Sequence, residues 1–415
     1  MNKFNKNLFL EDIANMKGYT IKKLLNEDEF IFIYLCYIQE IFKKLLAITI
    51  QEDVSDKFLK ASIRNFLSIA SNLVKVGCVE DKLLKIGTNY LSRGNCNKDY
   101  FTILQIFYNI LETARTKVNK KFITQQIKIK PKKFNIVKSK SDDIEKYKPL
   151  GTLKKLVDKN LTEYIEDFII QGSYGDFKTV DNWSDLDIVI ILKKKIFDHK
   201  LTFIQAQRIF KKISLSCYFF DILAHHRFNF ISPFDASFYS QTSLPVDSFS
   251  DAISLFNKEH DLTIRENYFD GLWKLDNFLK YFDQRRKNNY CEDLYMYKNS
   301  LSMLMLTPSL LLQAKGVNVS KKKSFSLCRE TFTDLNYSII EFASTERLNW
   351  RLKNNGLLFL LKYIDKIPYF FLDKFIKGYK KAYLYRHKNQ LNKIEFLNIE
   401  AKKFLEQGLA LLKNR

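Results

Sequence analysis

The stretch of sequence that decides the fold is a pair of apolar segments with a glycine-containing turn between them. Residues 168–176 read FIIQGSYGD, and residues 184–192 read SDLDIVIIL. The second segment ends in five apolar, mostly β-branched residues, which is typical of a strand covered on both faces. We therefore predict strands over 167–171 and 185–192, with a turn at Gly172 directly after the first.

The turn offers groups that suit a phosphate. Glycine permits positive φ and lets a backbone approach a ligand closely, and Gly172 and Gly175 are two of only 12 glycines in the chain. Ser173 adds a hydroxyl. A strand, such a turn and a helix start can present N–H groups and a hydroxyl to a phosphate. Gly172 and Ser173 are thus candidate phosphate-binding residues, whereas Tyr174 is either a packing residue or a nucleotide contact.

Two carboxylates, Asp185 and Asp187, follow twelve residues after Ser173. Residues i and i+2 of a strand face the same side, so both side chains are expected to point together. Two adjacent like charges are costly unless a positive charge lies between them. Mg²⁺ prefers one or two carboxylates together with phosphate oxygens. The spacing therefore predicts a site for Mg²⁺, or for Mn²⁺ in its place.

A third carboxylate would complete a site for two metal ions. Asp221 is the candidate, because it lies in the apolar run 217–224, which we predict to be a third strand. An acid in the middle of such a strand must have a partner, either a metal or a basic side chain in a structural ion pair. Asp198 and Asp235 are weaker rivals in more polar surroundings.

The Gly-Ser turn, the Asp185-Leu-Asp187 sequence on an apolar strand and the later Asp221 resemble the motif of a known superfamily. This is the nucleotidyltransferase superfamily that includes DNA polymerase β, the kanamycin nucleotidyltransferases and the poly(A) polymerases. The matching residues, 168–223, are a small part of the chain. The resemblance implies a small mixed sheet flanked by helices, and an enzyme that transfers a nucleoside monophosphate from an NTP to a hydroxyl and releases pyrophosphate. ATP is the expected donor.

The resemblance also implies roles for the residues that match. Gly172 and Ser173 would hold the triphosphate. Asp185 and Asp187 would bind Mg²⁺ at the phosphates, and Asp221 would help to bind a second metal and lower the pKa of the attacking hydroxyl.

Such enzymes often carry a helical domain after the catalytic one, which closes over the nucleotide. A run of three lysines after residue 315 looks similar to their lysine-bearing segment. Lys321, Lys322 or Lys323 could then reach the triphosphate; the alternative is a solvated lysine run in a loop.

Composition sets the fold class around this core. The chain of 415 residues has 12 Gly and 6 Pro, few enough to favour long helices and to exclude a turn-rich all-β protein. We expect an α+β protein with four parts. They are a helical accessory domain at 1–116, a Lys-rich linker at 117–149, a nucleotidyltransferase catalytic domain at 150–262 and an all-α C-terminal domain at 263–415. The lysines of the linker could also contact nucleic acid.

Charge and targeting signals bear on partners and location. Lys and Arg number 68 against 46 Asp and Glu, a net charge of +22. This excess indicates either attraction to a polyanion or a coding bias toward lysine. The six cysteines are scattered without a CxxC pair, which argues against a zinc ribbon or a disulfide scaffold. No signal peptide or membrane-spanning run is evident, so we expect a cytoplasmic protein without a membrane partner.

Several alternatives stay open at this point. The acceptor could be an RNA 3′ end, a small molecule, a protein hydroxyl or a second nucleotide, which would give a cyclic or oligonucleotide signal. The oligomeric state is undetermined. A catalytically inactive scaffold or RNA-binding protein with the same fold is a second hypothesis. A glycosyltransferase with Asp185-Leu-Asp187 as its metal-binding motif is a third, against which the upstream Gly-Ser turn argues. The adjacent His225 and His226 would point to opposite faces of a strand, so we do not predict them as metal ligands.

Overall fold

The computed structural model describes residues 27–52, 56–92, 100–135, 144–224, 227–242, 244–288, 294–352, 356–387 and 394–413. Within these ranges the chain is a mixture of many helices and two small sheets, so the predicted α+β class is confirmed. None of the described helices is long and apolar enough to cross a bilayer.

Four helices come first, and apolar periodicity predicts each of them. They are α1 (Glu27–Gln51), α2 (Asp56–Lys75), α3 (Asp81–Ser92) and α4 (Tyr100–Arg115). The first, α1, is buried over most of its surface, as a sequence apolar on nearly all sides requires. It packs against α2 and α4.

The larger sheet has five strands in the order β2-β6-β3-β4-β5. Its strands are β2 (Lys132–Lys133), β3 (Ile165–Gln171), β4 (Asp187–Leu192), β5 (Phe228–Ile231) and β6 (Ile253–Ser254). In this sheet β3 is antiparallel to both of its neighbours, while β5 runs parallel to β4 and β2 runs parallel to β6. A second sheet pairs β1 (Ile123–Ile129) antiparallel with β7 (His260–Arg265).

Helices make up much of the rest of the described residues. Between the strands lie α5 (Ile144–Asn160), α6 (Gly172–Gly175), α7 (Lys195–Asp198), α8 (Lys200–Ile213), α9 (Ser216–Phe220) and α10 (Pro233–Ser237). After the sheets come α11 (Tyr268–Asn288), α12 (Leu294–Gln313), α13 (Lys321–Thr331), α14 (Ser338–Leu348), α15 (Tyr369–Arg386) and α16 (Ile394–Lys413). The described residues also include the 3₁₀ segments Lys120–Phe122, Val246–Ser250 and Leu358–Tyr363.

The central strands are buried on both faces, as their apolar sequence predicts. On β4, Ile188 and Ile190 face the main core with the helices, while Val189 and Ile191 face a smaller core that includes Ile264 of β7. A fully buried side chain of this size stabilises the fold by about 1.5–3 kcal/mol. The strands that end at the candidate site are therefore rigidly held.

The predicted linker is wrong for residues 120–133 and for residues 144–149. The first group contains a 3₁₀ turn, β1 and β2, and the second begins α5, whereas residues 136–143 lie outside the described part. Most side chains of β1 are exposed or half-buried, so the strand has no continuous apolar signal in the sequence. Its partner β7 lies more than a hundred residues further along the chain. Pairing between distant segments, rather than local composition, makes this segment a strand.

The predicted third strand at 217–224 is also wrong. Ser216–Phe220 forms the short helix α9, and Asp221 follows it in a turn. A short buried apolar run does not distinguish a strand from a helix by periodicity. The strand beside β4 is instead Phe228–Ile231. The strand predicted to begin at Asp185 begins at Asp187.

The N-terminal helices share one core with the rest of the chain. Gln39 of α1 donates to the Asp235 carboxylate at 2.8 Å and to the Phe238 carbonyl at 2.9 Å. The same amide accepts from Arg265 Nε at 3.0 Å, and Arg265 also forms a fully buried bidentate pair with Asp270. Residues 1–116, as far as described, are thus anchored by buried polar contacts rather than joined only by a linker.

Candidate active site at the ends of β3 and β4

The glycine turn and the second predicted carboxylate are in direct proximity. Gly172 follows the last residue of β3 and has φ of +62°. An ideal Cβ at this position would lie 2.5 Å from Asp187 Oδ2. Both the backbone conformation and the close approach therefore require glycine. In the sheet register Gln171 is opposite Asp187, so the turn and the start of β4 lie side by side.

A hydrogen-bonded loop sets the position of Asp185. Within the loop the Val180 amide donates to Ser184 Oγ at 2.8 Å, and the Ser184 amide donates back to the Val180 carbonyl at 3.0 Å. Nearer the turn, the Lys178 amide donates to the Ser173 carbonyl at 2.8 Å. Asp185 leaves this loop half-buried, two residues before the half-buried Asp187. The spacer in the motif is thus a folded loop.

Two cations lie within electrostatic reach of the carboxylates. Lys321 is exposed at the surface. Partial desolvation by the surrounding protein and then the Arg347 guanidinium lower the pKa of Lys321, while Asp187 and Asp185 oppose that shift. Burial likewise lowers the pKa of Arg347, against the attraction of Asp185 and Asp176. Lys321 is therefore within electrostatic reach of Arg347 and of both carboxylates, and Arg347 is within reach of Asp185. Lys321 is the first residue of α13, and Arg347 is near the end of α14.

The three predicted lysines have different surroundings. They form the first turn of α13 and not a loop. Lys321 lies within electrostatic reach of Asp185 and Asp187. Lys323 forms an ion pair with Asp247 at 3.1 Å instead. Lys322 is exposed and acts on the pKa of Asp176, which burial raises. Lys321 is therefore the lysine of the run that the structure brings to the carboxylates.

Sequence reasoning missed Arg347. It lies on α14, within the part of the chain predicted to be all-α, and no motif surrounds it. Its Nε is buried without a hydrogen-bond partner. A basic residue 160 positions after Asp187 gives no local signal, and only the packing of α14 brings its charge near the site.

Asp221 has a different partner from the one expected for a metal ligand. It is fully buried, and its Oδ2 accepts a hydrogen bond from Lys298 Nζ at 2.5 Å. Lys298 is itself buried on α12 and also donates to the Trp183 carbonyl at 2.6 Å. Burial raises the pKa of Asp221 and Lys298 opposes the rise, while Asp185 adds to it. Asp221 thus joins the loop before β4 to α12; its role in binding a metal stays a prediction.

The other residues that the sequence brought into question have structural contacts. Tyr174 is buried against the edges of the Tyr147 and Phe220 rings, which is a packing role. Asp235 caps α10 in a reciprocal capping box with Ser232. Asp198 ends the short helix α7, and His225 and His226 lie outside the described residues.

The sheet also brings together a serine, an aspartate and a histidine. Ser254 Oγ donates to the buried Asp167 carboxylate at 2.7 Å, and His260 Nε2 lies 2.9 Å from the same carboxylate. The serine hydroxyl therefore faces the acid and not the imidazole. This order does not match a nucleophile activated by a histidine base, which needs the hydroxyl on the imidazole. The cluster ties together β3, β6 and β7.

The donor set at the site fits Mg²⁺ only in part. Among the described residues, no group of three or more His, Cys, Asp or Glu side chains is arranged to hold a metal ion. Asp185 and Asp187 form a two-carboxylate set, which is what Mg²⁺ uses when phosphate oxygens and water supply its other ligands. The residues therefore fit a metal that arrives with a nucleotide, and not a resident cage.

Comparisons with protein-family models, with curated proteins and with solved structures gave no match for this chain. The resemblance to the nucleotidyltransferases therefore rests on the motif and on the geometry of the residues that form it.

Proposed function

We propose that the chain is a Mg²⁺-dependent nucleotidyltransferase. It would transfer a nucleoside monophosphate from an NTP, with ATP as the expected donor, to an acceptor hydroxyl. The observation that supports this most directly is the proximity of the Asp187 carboxylate to the Gly172 turn, with Lys321 in electrostatic reach of both carboxylates. A Gly-Ser turn, a carboxylate pair and an added cation are the parts that a metal-bound triphosphate needs.

The charges of the site support the same ligand. Lys321 is within electrostatic reach of Asp185, Asp187 and Arg347, so two carboxylates and two cations act on one another here. A triphosphate would neutralise the cations, and its Mg²⁺ would neutralise the carboxylates. Bound metal would stabilise the charge that develops at the α-phosphorus.

The proposed reaction assigns a task to each group of residues. The backbone and hydroxyl of Gly172-Ser173, with Lys321 and Arg347, bind and orient the triphosphate. The acceptor hydroxyl oxygen forms a bond to the α-phosphorus as the bond to the bridging oxygen of the β-phosphate breaks. Pyrophosphate leaves, and the hydroxyl proton is released to water. Positioning and charge stabilisation supply most of the rate in transfers of this kind.

Transfer of an α-phosphate label tests the proposal. Each of the four NTPs is incubated with Mg²⁺, the protein and an unfractionated cell extract, and the products are separated into RNA, protein and small-molecule pools. We expect label in one pool with the wild-type chain. Asp187→Asn should lower it by more than the roughly 10- to 100-fold typical of losing an outer partner of a metal ligand.

The matched control is Asp181→Asn, which changes an exposed carboxylate of the same loop and should retain activity. Equal transfer by wild type and Asp187→Asn would overturn the site assignment. No transfer and no Mg²⁺-dependent NTP binding would favour the inactive scaffold instead.

A further inference from the structure

Exposed aromatic side chains are concentrated on α15. Phe370, Phe371 and Phe375 are 67%, 64% and 50% exposed, and Tyr385 near the end of the helix is 72% exposed. Helical periodicity places them along one side, since residues three or four positions apart are neighbours on a helix surface. The opposite side is anchored in the core. We name the exposed side the aromatic face; it consists of Phe370, Phe371, Lys374, Phe375, Lys381 and Tyr385.

The side of α15 away from this face is the buried one. Leu372 and Ile376, on that side, are each only 2% exposed. Clustered apolar side chains on a surface mark interaction sites. The aromatic face is therefore a candidate binding surface.

The charge of the face selects the class of partner. Lys374 and Lys381 are exposed among the rings, and Lys377 and Arg386 are exposed beside them. Asp373 is the acidic residue of this helix, and its side chain is 13% exposed. Its Oδ2 forms an ion pair with Lys377 Nζ at 2.6 Å. The face thus combines aromatic rings with net positive charge. Single-stranded nucleic acid is recognised by this combination, because bases stack on the rings while phosphates contact the cations.

The side of α15 opposite the aromatic face packs on the protein. Lys380 Nζ lies 3.9 Å from the centre of the Tyr295 ring of α12 and 5.5 Å from that of Tyr218 of α9. Tyr383, one turn further on, has its pKa raised by burial and then by the charge of Asp221. The aromatic face therefore points away from these helices and toward solvent.

We infer that the aromatic face of α15 binds single-stranded RNA. This binding does not rest on the proposed nucleotidyl transfer. Stacking on Phe371 and Phe375 needs bases free of a duplex, so the occupant is single-stranded.

Binding is measured by fluorescence anisotropy with a labelled 15-nucleotide oligo(A) RNA, without NTP and with EDTA present. We expect the double variant Phe371→Ala/Phe375→Ala to bind at least about tenfold more weakly than wild type, given the worth of each stacked base. Phe396→Ala is the matched control, because Phe396 is 51% exposed on α16 and lies outside the face. Its affinity should equal that of wild type.

A second pair of substitutions tests the charges. Lys374→Gln/Lys381→Gln should reduce the slope of log affinity against log salt by about one to two, since each neutralised phosphate of a single strand adds roughly 0.7 to it. A duplex of the same length should compete poorly with the single strand.

Several results would overturn the inference. One is unchanged RNA affinity in the double aromatic variant, and another is equal affinity for the duplex. A third is that the double aromatic variant elutes at a different volume from wild type on size-exclusion chromatography but binds RNA equally well. The face would then be an interface between copies of the chain. Transfer of label to a small molecule by a protein that binds no RNA would also overturn the inference. The proposed transfer activity would stand in that case. RNA binding that depends on the face, without any label transfer, would instead defeat only the proposed activity.

Discussion

Asp187 and Asp221 each border an apolar segment of the sequence, but their surroundings in the fold differ. Asp187 is half-buried beside the Gly172 turn, with Lys321 near it. Asp221 is fully buried, 2.5 Å from the ammonium of Lys298, and its Oδ1 also accepts from the Leu223 amide at 2.9 Å. A carboxylate whose charge is already neutralised by a fixed ammonium has little capacity left for a metal. We therefore propose Asp187 as the ligand-binding carboxylate and expect a structural role for Asp221.

The partner of Asp221 explains what that structural role is. Lys298 of α12 also donates to the Trp183 carbonyl and lies 5.0 Å from the centre of the Trp183 ring. Trp183 belongs to the loop that leads into Asp185 and packs edge-on against Trp350. The ion pair therefore joins the C-terminal helices to the loop that positions the candidate ligands.

The largest effect is expected from a substitution that breaks the ion pair between Asp221 and Lys298. Asp221→Asn leaves the Lys298 ammonium buried without its counter-charge, which typically costs about 3–5 kcal/mol. We expect the free energy of unfolding, measured by urea titration, to fall by that amount. Asp187→Asn, made in the half-buried site, should change it by less than about 1 kcal/mol.

The double variant Asp221→Asn/Lys298→Met serves as the control, because it removes both charges and should recover much of the loss. If Asp221→Asn instead retained the stability of wild type and lost nucleotidyl transfer, Asp221 would be a metal ligand. The structural role expected for Asp221 would then be wrong.

Glu40 is a third acid, outside the candidate site, whose environment makes the stability of the fold depend on pH. Burial pushes the pKa of Glu40 up, but Lys43, Lys274 and Arg265 outweigh that effect and hold the pKa at about 2. Because the folded pKa is lower than the unfolded value, Glu40 stabilises the fold above about pH 4.5. This contribution is lost as pH falls from there through about 2.

The full contribution of Glu40 is about 3.5 kcal/mol at most, since its pKa falls from 4.5 to about 2 and one pKa unit corresponds to about 1.4 kcal/mol. Unfolding titrations at about pH 6 and about pH 3 should show a smaller loss of stability on acidification in Glu40→Gln than in wild type. An equal loss in the two proteins would mean that other acids account for the acid sensitivity.

The smallest expected effect concerns the cations of the site. Arg347→Gln removes one charge that would contact the triphosphate, and a charged contact of this kind is worth about 1.5–3 kcal/mol. We expect the KM for NTP to rise by at least about tenfold while the free energy of unfolding changes little. Lys323→Gln is the control, since Lys323 pairs with Asp247. Equal KM values for Arg347→Gln and Lys323→Gln would remove Arg347 from the site.

The sequence predicted the parts of the site that are close along the chain. β3, the turn at Gly172 and β4 follow from an apolar run, a glycine and a second apolar run, all within about 28 residues. The predicted phosphate turn and Asp187 do meet, because adjacent antiparallel strands bring the end of one beside the start of the next. Most helices also follow from their periodicity, since a buried stripe repeats every three to four residues.

The sequence by itself thus determined the α+β class, the long helices and the turn with its carboxylates. Only the tertiary structure decided that residues 120–133 form strands, that Asp221 pairs with Lys298, and that Arg347 joins Lys321 beside Asp185. Local pattern reports which face of a segment is apolar, but not which distant segment covers it. The partner of a charge is set by the packing of helices that are far apart in the chain.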